Sequence, residues 1–170
     1  ASDVYKRQDQ FWIKGDSGSL TQTVEFRAYD GTEWSSWTSV TVKTQAANNP
    51  PVVTIADQTV GLNVTKNISS AVSVTDRDSD TITYYLVKDV TGNRAKYWPS
   101  NFKINGTQID ASGSSHYGYD GYLFEAKDLS TLSVVGDTSA GTQTLQIAAY
   151  DGKAWSAWKS FTLTTVAASN

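Results

Sequence analysis

Three carboxylates at alternate positions, Asp76, Asp78 and Asp80, stand in the run Val74-Thr75-Asp76-Arg77-Asp78-Ser79-Asp80-Thr81. Hard oxygen donors gathered this closely at the mouth of a strand suit Ca2+, and suit Mg2+ less because its octahedral shell is tighter. An EF-hand loop opens in a similar way but needs Gly at its sixth position and Glu at its twelfth; here those places hold Thr81 and Val87, so that reading is excluded. The same residues also suit a solvated turn in which Arg77 neutralises one of the acids. Asp30 and Asp151 each precede a glycine in a stretch that the chain contains twice. They either serve turn geometry alone or join Asp76, Asp78, Asp80 and the Asn48-Asn49 pair as further oxygen donors at a junction.

Other chemistry has less to stand on. His116 is the single histidine and lies among Gly, Ser and Tyr; the chain has no Cys. No spacing places a base beside a nucleophile, so a non-catalytic protein is expected. Trp98, Tyr117, Tyr119 and Tyr122 form an aromatic group in a Gly/Ser-rich region, and rings of this kind stack on sugars, which makes a carbohydrate-binding module for surface glycans the alternative function. The pairs Trp34/Trp37 and Trp155/Trp158 each lead into a patterned strand, and one member of each pair is expected to seal the end of a core. The net charge is −3 with no basic run, which gives a nucleic-acid backbone little to bind. No apolar run approaches the roughly 20 residues that cross a bilayer.

The elements that position these residues are set by a repeat. Ala28-Tyr29-Asp30-Gly31-Thr32-Glu33-Trp34-Ser35-Ser36-Trp37 returns as Ala149-Tyr150-Asp151-Gly152-Lys153-Ala154-Trp155-Ser156-Ala157-Trp158, and residues 15–49 match 136–170 without a gap at an offset of 121. Such self-similarity predicts a tandem repeat. Residues 1–8 resemble the translated end of a transposon adapter used in sequencing libraries and are excluded from fold reasoning. Residues 9–46 then read as the C-terminal part of an incomplete repeat, 47–51 as a linker held extended by Pro50 and Pro51, and 52–170 as a complete repeat.

Period-two alternation over Gln22–Phe26 and Val40–Lys43 predicts two strands joined through the Asp30-Gly31 turn. Beyond the linker, strands are predicted at 52–56, 72–75, 81–87, 101–104, 122–125, 131–135, 142–150 and 158–165, with a short helical turn over 125–132. Val, Ile, Thr, Tyr and Phe dominate them. Short strands with turns every 8–12 residues predict an all-β, immunoglobulin-like sandwich.

The series Asn49-Pro50-Pro51-Val52-Val53, Ser73 to Tyr85, Phe102-Lys103-Ile104-Asn105-Gly106 and Leu145 to Trp158 resembles the cadherin-like, immunoglobulin-type tandem repeats of giant bacterial surface or secreted proteins, which often accompany haemolysin-type calcium-binding (RTX) modules. The resemblance implies an extracellular or cell-surface array acting as a stalk, matrix, surface-layer or filament block. Its partners would be neighbouring repeats, and structural Ca2+ would sit at Asp76, Asp78 and Asp80, which Asp151, Asp30 and Asn49 would join on the junction reading above. Separately, strands in residues 9–46 without the rest of their sandwich would expose apolar faces and edges, so either another chain supplies the missing strands by strand exchange or the gene fragment is cut there. Two departures stand out. The Asp-Gly-Asp ending of the familiar acidic loop is Asp78-Ser79-Asp80 here, and Asn48-Asn49 replaces an acidic linker element.

Overall fold

The computed structural model describes residues 12–15, 18–90, 100–112 and 119–167. Residues 1–8 and the side chains of Trp98, His116 and Tyr117 lie outside them. The chain divides into two compact units, residues 1–47 and 48–170. Among the described residues no helix is long and apolar enough to cross a membrane, which says nothing of a β-barrel.

In the first unit β1 (Leu20–Phe26) and β2 (Thr38–Thr44) pair antiparallel, from Leu20 opposite Thr44 to Phe26 opposite Thr38. They form a two-stranded sheet. Alternating Val and Thr favour the extended backbone, and Gly31 turns the chain at φ 103°, a conformation that glycine takes without a Cβ clash.

The second unit is a β-sandwich. One layer is a five-stranded sheet in the order β10-β7-β12-β13-β4. Its strands are β4 (Gln58–Gly61), β7 (Tyr84–Asp89), β10 (Tyr122–Glu125), β12 (Gly141–Tyr150) and β13 (Lys159–Val166). The facing layer holds β5 (Thr65–Asn67), β8 (Phe102–Ile104), β9 (Thr107–Gln108) and β11 (Ser133–Val135) in one sheet, and β3 (Val52–Ile55) with β6 (Val72–Thr75) in another. Pairing is antiparallel except between β13 and β4.

Alternation puts Leu145, Ile147 and Ala149 of β12 and Phe161 and Leu163 of β13 inside, against Val53, Ile55, Phe102, Ile104 and Val134 of the facing layer. Phe102 meets Phe161 edge-on across the layers, with ring centroids 6.3 Å apart.

The all-β expectation and the two 72–75 and 122–125 strands hold residue for residue. The stretch expected to be helical over 125–132 is a 3-10 turn at Ala126–Thr131. Of the tryptophans expected to seal a core's end, Trp155 takes a half-buried place against the Tyr150 and Tyr119 rings while its pair-mate Trp158 is 37% exposed; in the first unit Trp34 and Trp37 are both exposed. Asn48 and Asn49, expected in a linker, are tied by side-chain hydrogen bonds into the second unit.

Candidate metal centre

The acidic loop begins where β6 ends, after an alternating Val-Ser-Val-Thr strand has packed its half-buried Val residues against the core and released the chain. Asp76 organises it. One carboxylate oxygen, Oδ1, accepts the backbone N–H of Asp78 at 2.8 Å and of Asp80 at 3.1 Å, folding the loop back over its own start. Ser79 sits at φ 62°, the left-handed region that glycine would enter more cheaply. Where the resembled loop carries glycine, this chain holds a serine in the left-handed conformation. One carboxylate oxygen from each of Asp76, Asp78 and Asp80 lies within 4.8 Å of the others.

Two further segments close on the loop. Asn49 donates its backbone N–H to Asp78 Oδ2 at 2.6 Å and its side-chain amide to Asp78 Oδ1 at 2.9 Å. The neighbouring Asn48 donates Nδ2 to Asp151 Oδ2 at 2.9 Å. Asp151 begins the turn after β12, and its other oxygen accepts the N–H of Lys153 at 2.7 Å and of Ala154 at 2.6 Å. The Lys153 ammonium then reaches Asp80, 2.8 and 2.7 Å from its two oxygens.

The expected residues Asp76, Asp78, Asp80, Asp151 and Asn49 are thus brought together in one corner. Asp30 belongs to the first unit, where its Oδ1 caps its own turn by accepting the N–H of Thr32 and Glu33. Lys153 was not expected from the sequence. Its one signal is that it replaces Thr32, the residue 121 positions earlier in the other copy of the turn.

Whether this corner suits a cation is decided by its oxygens. Asp76 Oδ2 and Asn48 Oδ1 are both buried without a hydrogen-bond partner. An acceptor shut away from water without a donor costs about 1–3 kcal/mol, and a hard cation satisfies such oxygens directly. With the Asp78 and Asp80 carboxylates, whose oxygens now accept from Asn49 and Lys153, the donor set is all oxygen and rich in carboxylate, which fits Ca2+ once those donors give way. The Lys153 ammonium already balances part of that charge.

The same contacts set the corner's response to acid. Asp78 is held below the ordinary aspartate value, first by the Asn49 backbone N–H, then by the Asn49 side chain, with Lys153 and Arg77 adding to it. For Asp151, desolvation pushes the carboxyl up, but hydrogen bonds from Asn48, Ala154 and Lys153 outweigh it and the net shift is downward. A lowered folded value means that the unfolded chain binds more protons, so the stabilisation is full above the unfolded value and is lost as pH falls through the folded one. Thermal melts at stepped pH should show a midpoint that is flat down to about pH 5 and falls below about pH 4. Asp151→Asn should flatten that fall; a wild-type midpoint unchanged to about pH 2 would refute the coupling.

Of the aromatic group, Tyr119 is 37% exposed and packs edge-on against Trp155 with centroids 5.9 Å apart. Tyr122 is half-buried in β10 against the core. Trp98 and Tyr117 lie outside the described residues. In the first unit Arg27 lies over two rings, 4.4 Å from the Trp34 centroid and 4.7 Å from that of Trp37.

No protein-family model matches the chain, and no curated protein matches it. Solved structures with a loose likeness include human mucin-like protocadherin EC1-2, at 15% identity and TM-score 0.42, covering 87% of this chain and 69% of that one. Domains 4 and 5 of the S-layer protein SbsC match at 12% identity and TM-score 0.38, covering 86% and 59%. Domains d3-d4 of the rat CD45 extracellular region match at 13% identity and TM-score 0.35, covering 97% and 72%. At these scores the architecture rests on the chain's own strands.

Proposed function

We propose that the chain is a structural and adhesive module of an extracellular array of immunoglobulin-like, cadherin-like sandwiches, repeating every 121 residues and carrying no catalytic role. In this reading it serves as a stalk, matrix, surface-layer or filament block at the cell surface, of the kind associated with RTX proteins. Neighbouring repeats are its partners.

One observation carries the proposal: the two copies of the repeated stretch fold alike in detail. Leu20 faces Thr44 as Gly141 faces Thr165. The Tyr29–Trp34 bridge returns as Tyr150–Trp155. Asp30 caps Thr32 and Glu33 as Asp151 caps Lys153 and Ala154. Ser35 Oγ accepts the Ala28 N–H as Ser156 Oγ accepts that of Ala149. A unit whose closing hairpin is rewritten with its register intact, while the polar position Glu33 becomes Ala154, suits a part that is stacked rather than one that binds a single ligand.

Ca2+ would be held by Asp76, Asp78, Asp80 and Asn48, with Asp151 fixing Asn48. Bound there, it would supply charge neutralisation and would cross-link the acidic loop to the segment entering β3. That would stiffen the entrance to each repeat.

Single-molecule pulling on a concatemer of residues 48–168 tests the reading. Uniform unfolding steps are expected, each releasing roughly 400 Å of chain, with higher force in Ca2+ than in chelator. Extension without discrete steps would contradict it.

A further inference from the structure

The closing hairpin of the second unit is covered on its inner face and on both edges, whereas among the described residues its counterpart in the first unit is not. Leu145, Phe161 and Leu163 are at most 3% exposed. β12 is flanked by β7, antiparallel, and β13 by β4, parallel. Their counterparts 121 positions earlier are Val24, Val40 and Val42, of which Val40 is 40% exposed and the others are half-buried. Among the described residues β1 and β2 pair only with each other.

A second, independent feature concerns glycine. A Cβ on Gly136 would lie 2.1 Å from the Gly61 carbonyl oxygen, because the chain entering β12 runs against the end of β4. The counterpart of Gly136 is Gly15, where a Cβ would meet only the Thr44 side-chain methyl. Among the described residues, nothing in the first unit's own backbone demands glycine there. A strand end lying against it as Gly61 lies against Gly136 would.

We infer that the inner face and edges of the β1–β2 hairpin are a docking surface for a segment built like residues 52–135, belonging to the same repeat and joined ahead of β1 as 52–135 is joined ahead of β12. It would lay one strand antiparallel beside β1, as Tyr84–Asp89 lies beside β12, and one parallel beside β2, as Gln58–Gly61 lies beside β13. The segment is not a copy of this chain's own. Val replaces Leu145, Phe161 and Leu163 at three inner positions, so the partner must be bulkier opposite them to reach interior packing density. Arg27 stands where the second unit has Ala148, 2% exposed, and keeps the outer face for itself by stacking on Trp34 and Trp37. The inference rests on the repeat reading, since it supposes a second segment of the same design.

The test is a chimaera in which residues 48–136 are repeated immediately ahead of Asp16, compared with the parent chain by amide hydrogen exchange over 20–44. Exchange in β1 and β2 should slow by about 100-fold or more. A second chimaera with Val24→Leu, Val40→Phe and Val42→Leu should slow it further, because the added segment is shaped for those larger side chains. Slowing in the second chimaera alone also supports the surface and assigns the difference to volume. If neither chimaera slows exchange, the inference is wrong. A parent chain whose hairpin is already protected, increasingly so at higher protein concentration, would make a second copy the occupant and overturn the proposed source. A concatemer that unfolds in uniform steps beside a hairpin that stays open would sink this inference and leave the repeat reading standing.

Discussion

Gly136→Ala is expected to destabilise the second unit by about 3 kcal/mol, one of the largest effects any single methyl group can have in this chain. Gly136 donates its N–H to the Val64 carbonyl at 3.0 Å, and Asn63 returns a bond to the Asp137 carbonyl at 3.1 Å, so the crossing is pinned from both sides. The new Cβ would stand 2.1 Å from the Gly61 oxygen and 3.1 Å from the Gly61 carbonyl carbon and from Val60 Cγ1. Backbone cannot swing aside as the end of a side chain can. Relief requires β4 to move away from β13, which costs the ladder that starts at Gln58 opposite Leu163. Gly15→Ala is the internal control: its Cβ meets a side-chain carbon, Thr44 Cγ2, rather than backbone, and relief costs at most a turn of the Thr44 side chain away from the Gly18 and Leu20 carbonyls, so its cost should stay at about 1 kcal/mol. Chemical denaturation of both variants checks this, and equal costs would show that the crossing is looser than described.

The fold was legible where side chains alternate cleanly and obscure where they do not. Val72–Thr75 and Tyr122–Glu125 carry enough β-branched and aromatic residues to be found to the residue. β4 was missed because Gln58 is buried, 6% exposed, with its amide donating to the Ala56 carbonyl; a buried polar residue followed by Thr-Val-Gly reads as a turn. β5 and β9 are three and two residues long and exist only because longer strands pair with them. The parallel β13–β4 contact is a tertiary fact that no local pattern encodes. The duplicated stretch, by contrast, can be read directly in the sequence, and its two copies form hairpins of the same register.

At the acidic corner, the three aspartates and their turn were readable from spacing, because Asp76 capping its own loop is a local matter. Asn48 reaching Asp151, and Lys153 reaching Asp80, join residues 103 and 73 positions apart. Those contacts depend on β3 beginning, and β6 and β12 ending, at the same corner. The half-buried place of Trp155 was readable too, but not its neighbours: the turn directs the ring toward Tyr150 and Tyr119, and Tyr119 is 36 positions away.

The second large effect is metal-dependent. The corner holds two buried acceptors without donors, Asp76 Oδ2 and Asn48 Oδ1, beside two more carboxylates. A cation that binds only the folded form stabilises it by mass action, about 2.7 kcal/mol when its concentration is 100 times the dissociation constant. For a unit of this size that corresponds to a rise of roughly 10 °C in melting temperature. Lys153 opposes the gain, since its ammonium must leave Asp80, so Lys153→Thr, which restores the residue of the other copy, should enlarge it. Asp76→Asn should abolish it. The most direct measurement is therefore the melting temperature of the whole chain in chelator and across a Ca2+ titration: the account predicts a saturable rise that Asp76→Asn removes, and a transition that stays put from chelator to millimolar Ca2+ would contradict it.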